Sequence, residues 1–154
     1  MKKYLIIVMF LLSQAPAVAG DWRVTGSSQK KIDNLVKIMP SASGSMLQMG
    51  ERYRNVFWAA LQENWLFAEY QAKKMQEQVN VLMVSNPELK PASEQFLQKG
   101  MNQLIPAIQS KNWTEFKNAF MQMRQACNEC HEQNKLGFIT LREKPAKGIS
   151  PVLH

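Results

Sequence analysis

Trp113, Phe116, Phe120, Met123, Cys127 and Cys130 recur at intervals of 3, 4, 3, 4 and 3 residues. That rhythm is the period of an α-helix, and it puts all six side chains on one face. A helix with such a stripe must bury it against other helices. The stripe therefore commits the chain to a helical core.

The rest of the 154-residue sequence agrees. A first helix is predicted over residues 43–62, with Met46, Met49, Tyr53, Val56, Phe57 and Ala60 at helical spacing. A second is predicted over 64–84, with Phe67, Tyr70, Met75, Val79 and Leu82 facing inward and Asn86-Pro87 as its stop. A third starts near Pro91, a residue suited to a first helical turn, and continues through Leu97, Met101, Leu104, Ile105 and Ile108. Pro106 should kink it or remove one hydrogen bond. The stripe-bearing fourth runs from an N-cap at Asn112 to about Leu136, with Gly137 as its stop.

Residues 60–65 (Ala-Leu-Gln-Glu-Asn-Trp) are echoed by residues 107–113 (Ala-Ile-Gln-Ser-Lys-Asn-Trp). Both stretches place an Asn cap and a Trp where one helix gives way to the next. No segment alternates as a strand does. Four helices with short connections predict an all-α, antiparallel four-helix bundle over residues 43–136.

The flanks read differently. Lys2 and Lys3, the apolar run Tyr4 to Leu12, and Ala17-Val18-Ala19 have the layout of a signal peptide over residues 1–19. The run is too short to span a bilayer. Export to the periplasm, and no membrane span in the mature chain, are the expectations. Residues 20–42 form a polar N-terminal arm in which Ile32, Leu35, Val36 and Met39 make one amphipathic turn or helix. Residues 137–154 form a tail expected to be extended, with its apolar start packed and its end loose. Removal of Lys2 and Lys3 takes the formal charge from +7 to +5. The positive residues are scattered and form no nucleic-acid stripe. Their mild excess suits an acidic redox partner.

Cys127-Asn128-Glu129-Cys130-His131 is the Cys-x-x-Cys-His pattern of covalent haem attachment. Two thiols add across the haem vinyl groups, and the adjacent imidazole takes the iron. On a helix these positions share one face. A thioredoxin-type disulfide would need a βαβ context, which the sequence lacks. A structural zinc site would need four ligands, and only His154 remains to join the three. Haem c, one per chain, is the expected cofactor.

His154 is the sole other histidine, so a methionine is the expected sixth ligand. In an antiparallel bundle the start of the first helix lies beside the end of the fourth. That favours Met46, then Met49, and leaves an open site as the alternative. Arg52, Arg54, Arg124 and Arg142 are candidate partners for the haem propionates.

With its late Cys127-Asn128-Glu129-Cys130-His131 and a methionine near the start of its first helix, the chain resembles the class II c-type cytochromes. These include cytochrome c prime and its low-spin relatives, which are four-helix bundles. The resemblance implies Met46 as axial ligand, as in the low-spin members. Cytochrome c prime instead leaves that side open and binds small gases. Residues 64–70 and Gly137-Phe138-Ile139 also resemble a group of small bacterial haem proteins that often carry histidine where Tyr53 stands here.

The expected function is one-electron transfer to a redox partner protein. The alternative is a five-coordinate haem binding nitric oxide or carbon monoxide, with Tyr53, Val56 and Phe57 lining its pocket. A peroxidase would need a distal histidine–arginine pair, which the sequence does not offer. A structural haem bundle or an assembly subunit shares the same fold. A homodimer is compatible with such a bundle.

Overall fold

The structure, a computed structural model, describes residues 20–148. The expected signal peptide and His154 lie outside the described residues. The described chain is helical, without a strand, and falls into two units that divide between Ile38 and Met39.

The first unit holds α1 (Trp22–Thr25) and α2 (Ser28–Ile38). Asp21 caps α1 by accepting the Arg23 N–H at 3.0 Å and pairs with its guanidinium at 2.9 Å. The amphipathic helix expected in the arm is α2. Its Ile32, Leu35 and Val36 are exposed.

The second unit is built from α3 (Ala42–Leu61), α4 (Trp65–Ser85), α5 (residues 90–109) and α6 (Trp113–Gln133). Pro87–Leu89 adds a 3₁₀ turn before α5. α5 is not uniform. Lys90–Phe96 and Asn102–Gln109 are α-helical, and Leu97–Met101 between them is a π turn. Pro106 sits inside the last piece. A Cβ at Gly100 would lie 3.2 Å from Met123 Cα, so glycine lets the π turn approach α6 without pushing it back. No helix among the described residues is long and apolar enough to cross a membrane.

The echoed sequences make matching turns. Glu63 and Lys111 both take left-handed backbone angles, with φ of 58° and 54°. Their N–H groups donate to Ala60 O and Ile108 O. Asn64 then caps α4 through Phe67 N–H, and Asn112 caps α6 through Thr114 and Glu115. A left-handed residue closes one helix and an asparagine opens the next, which lets the chain reverse within three residues.

Hydrogen bonds fix the helix directions. Gln78 donates to Ser45 and Arg52 donates to Gln71, so α3 and α4 run antiparallel. Gln133–Gln95 and Lys99–Glu129 set α5 against α6 in the same sense. Gln109 reaches back to Glu69 near the start of α4. Across α3 and α6, Phe57 meets Trp113 at 6.0 Å and Tyr53 stacks on Phe120 at 4.7 Å. One core joins all four helices, with Val56, Met75, Met101, Leu104, Ile108, Phe116, Phe120 and Met123 fully buried. Each such side chain stabilises the fold by about 1.5–3 kcal/mol relative to exposure.

Several details correct the sequence reading. Tyr70 faces outward, 52% exposed, because Ala68, Gln71, Ala72 and Met75 take the inward phase of α4. It stacks on Phe67 at the surface. α6 ends at Gln133, and its stop is Lys135 rather than Gly137. Lys135 takes the left-handed conformation, with Lys135 N–H donating to Glu132 O and Leu136 N–H to His131 O. That pair of bonds is the Schellman closure, which satisfies carbonyls the helix end would leave open. The start of the tail, expected to be packed, is packed only in part. Phe138 at its start is 81% exposed, whereas Leu141 packs on the core and Pro145 is buried.

Candidate functional site

The stripe on α6 emerges from the core at its last turns. Phe116, Phe120 and Met123 are fully buried, and Cys127, Cys130 and His131 are partly exposed. The three motif residues thus stand where a helix face passes from the core to the surface. Trp113, at the opposite end of the stripe, is also open to solvent.

The two thiols are not bonded to each other. Cys127 Sγ lies 3.7 Å from Met123 Sδ. Burial, reinforced by Cys130, pushes the Cys127 thiol up to about 12. Burial also raises Cys130, opposed by a contact from Asn134. Both are therefore protonated at neutral pH. Redox cysteines of the thioredoxin type need the opposite shift, so their chemistry is not supported here.

His131 is held from one side. Its Nδ1 lies 2.8 Å from the Ile139 carbonyl oxygen. A carbonyl can only accept, so Nδ1 carries the proton of this contact, and in the neutral imidazole the lone pair is on Nε2. This is how metal-binding imidazoles are oriented, with one nitrogen anchored and the other presented. Among the described residues, no three His, Cys, Asp or Glu side chains are grouped as ligands of one ion. The motif does not make a zinc-type cluster. Two separated thiols beside an anchored imidazole are what a porphyrin edge and its iron would need.

The two middle residues of the motif tie it to its neighbours. Asn128 Oδ1 accepts the Leu141 N–H at 2.9 Å. Glu129 pairs with Lys99 on the π turn at 3.1 Å and accepts from Gln125. Lys99 holds the Glu129 carboxyl below its usual range, with Gln125 adding to the effect.

The tail then runs back along α6 and α3. Arg124 donates to Leu141 O at 3.2 Å, Tyr53 donates its hydroxyl to Arg142 O, and Trp58 Nε1 donates to Pro145 O at 3.2 Å. Lys144 lies 5.4 Å over the Trp58 ring. Sequence reasoning missed these partners. An extended tail has no periodicity, so nothing in its residue pattern announced them.

The remaining candidates are spread out. Met46 is half-buried against the core, and Met49 is buried. Arg52 turns to α4, Arg54 pairs with Glu51, and Arg124 lies 3.6 Å from Glu143. Arg142 is exposed. The structure does not gather these arginines in one place. Arg124, one turn before Cys127, keeps a buried Nε without a hydrogen-bond partner. Arg52 and Arg54 do likewise among the described residues. Tyr53, Val56 and Phe57 are buried in the core. Burial, then Cys127, pushes the Tyr53 hydroxyl above the usual phenol range, so it stays a donor.

Comparison of the chain with protein-family models, with curated proteins and with solved structures finds no match.

Proposed function

We propose that this chain is a monohaem c-type cytochrome that carries single electrons. Haem c is held covalently by Cys127 and Cys130, and His131 Nε2 binds its iron. The observation that carries this reading is the His131 imidazole. Its Nδ1 is anchored on Ile139 O while Nε2 stays available, directly after two protonated thiols on the same helix.

Bound haem supplies a one-electron iron couple whose potential follows from its axial ligands and its burial. The chain's own residues do the rest. The last turns of α6 present the attachment face. The core below it, ending in Met123 and Ala126, closes one side to water. The antiparallel pairings of α3 with α4, α5 with α6 and α3 with α6 support an up-and-down four-helix bundle of the class II cytochrome kind. An exported protein that meets an acidic redox partner in the periplasm, alone or as a homodimer, completes the proposal.

Met46 is the proposed sixth ligand. Across α3 and α6, Phe57 meets Trp113 and Tyr53 meets Phe120. Residue number falls on one helix as it rises on the other. Continued two turns, that register brings Met46 level with the haem motif. The ferric wild type is expected to show the weak long-wavelength band of methionine–iron ligation. Met46→Ala should lose the band, turn high-spin and bind carbon monoxide. An unchanged spectrum in Met46→Ala would remove Met46 from the site. A wild type that is already high-spin and takes up carbon monoxide would favour gas binding.

A further inference from the structure

We propose that Asn128 is a positioning residue for His131, acting through the C-terminal tail. This rests on the reading of His131 as the iron ligand. Asn128 Oδ1 accepts the Leu141 N–H at 2.9 Å, and two residues earlier Ile139 aims its carbonyl at His131 Nδ1, 2.8 Å away. The tail is thus tied to α6 twice, once by a residue inside the attachment motif and once by the imidazole itself.

The tie at Asn128 matters because the turn before it has little else to hold it. Phe138 is 81% exposed and Ile139 is 45% exposed, so burial of their own side chains does not fix the Ile139 carbonyl. Downstream the tail is well secured, through Arg124 to Leu141 O and through Trp58 to Pro145 O. Asn128 carries that anchorage to the stretch that faces His131. Without it, residues 137–140 are joined to α6 only through the bond to be controlled and through the helix end.

A hydrogen bond from Nδ1 to a carbonyl raises the basicity of the imidazole and fixes its rotation. The added basicity favours ferric iron. Weakening the bond should therefore raise the reduction potential. Asn128→Ala removes the acceptor, and Asn128→Asp keeps one at Oδ1.

The test uses the haem-loaded full chain and reads two quantities. In Asn128→Ala, the ferrous-to-ferric ratio at fixed potential should rise roughly tenfold, the scale usual when a hydrogen bond that orients a metal ligand is lost. That is 59 mV for a one-electron couple. Hydrogen exchange at the Leu141 amide should quicken by at least about tenfold, as expected when a protecting bond is lost. Asn128→Asp keeps the acceptor, so exchange at Leu141 should stay near wild type, and its added negative charge should move the potential down rather than up. Unchanged exchange at Leu141 in Asn128→Ala overturns the tie. Faster exchange with an unchanged potential overturns the positioning role and leaves the haem reading standing. A wild type without haem fails the functional reading itself, and this proposal with it.

Discussion

Phe120→Ala is expected to cost about 3–5 kcal/mol of folding stability, the usual range for deleting a buried phenylalanine. Phe120 is 1% exposed and sits at the meeting point of the core aromatics. It stacks on Tyr53 at 4.7 Å and meets Phe57 at 5.3 Å and Phe116 at 5.5 Å. Three aromatic contacts join α3 to α6, and Phe120 makes two of them. The neighbours cannot easily collapse into the gap, because Tyr53 is also bound to the Arg142 carbonyl. Domains of this size have roughly 5–15 kcal/mol in total, so the variant should melt about 10–20 °C lower. Leu66→Ala, on a side chain that is 80% exposed, should change stability by less than about 0.5 kcal/mol. Thermal melts followed by circular dichroism compare the two. A Phe120→Ala melt within a few degrees of wild type would mean that α3 and α6 are not held together in this way.

Replacing Cys127 and Cys130 together by alanine should abolish covalent haem. Neither side chain is fully buried, and both lie beyond the fully buried part of the stripe. The helical fold should therefore survive, and far-ultraviolet circular dichroism should stay near wild type. What changes is the bond to the cofactor. Haem held by His131 alone is a ligand-bound group that acidified organic solvent can extract, whereas two thioethers resist extraction. Each single variant should keep one thioether and still retain haem. Haem that survives denaturation in the double variant would contradict attachment at these two thiols.

The helical character of the chain was legible because a packed helix leaves a period of 3.6 in its apolar residues. The stripe from Phe116 to Met123 is buried as its spacing implied, and the two Asn-Trp sequences do make matching turns. What period alone could not supply was phase and closure. Tyr70 fits an apolar template, yet Ala68 and Ala72 take the core side because α3 and α4 pack through small residues there. Gly137 looked like the natural stop of α6, but a left-handed Lys135 serves, held by the Schellman bonds around it. The π turn at Leu97–Met101 followed from no local rule, and it places Gly100 close against α6.

The proposed attachment residues stand out in the sequence because the chemistry of haem attachment calls for that spacing. Their support does not. Asn128 and Glu129 occupy the variable positions of Cys-x-x-Cys-His, where the pattern carries no information. Their partners, Leu141 and Lys99, lie on a tail and a π turn that periodicity does not describe. Arg52, Arg54, Arg124 and Arg142 had looked equivalent as charges. Their partners separate them: Arg52 turns to Gln71, Arg54 to Glu51 and Arg124 to Glu143, while Arg142 is exposed.

The central claim is that Cys127 and Cys130 carry haem, and mass spectrometry of the protein from a host that matures c-type cytochromes tests it most directly. Trypsin cuts after Arg124 and Lys135, so residues 125–135 emerge as one peptide bearing the whole motif. The account predicts that this peptide carries one haem, bound through both sulfurs, and that no other peptide does. Recovery of the same peptide with two free thiols or a disulfide, and no haem on the chain, would contradict it.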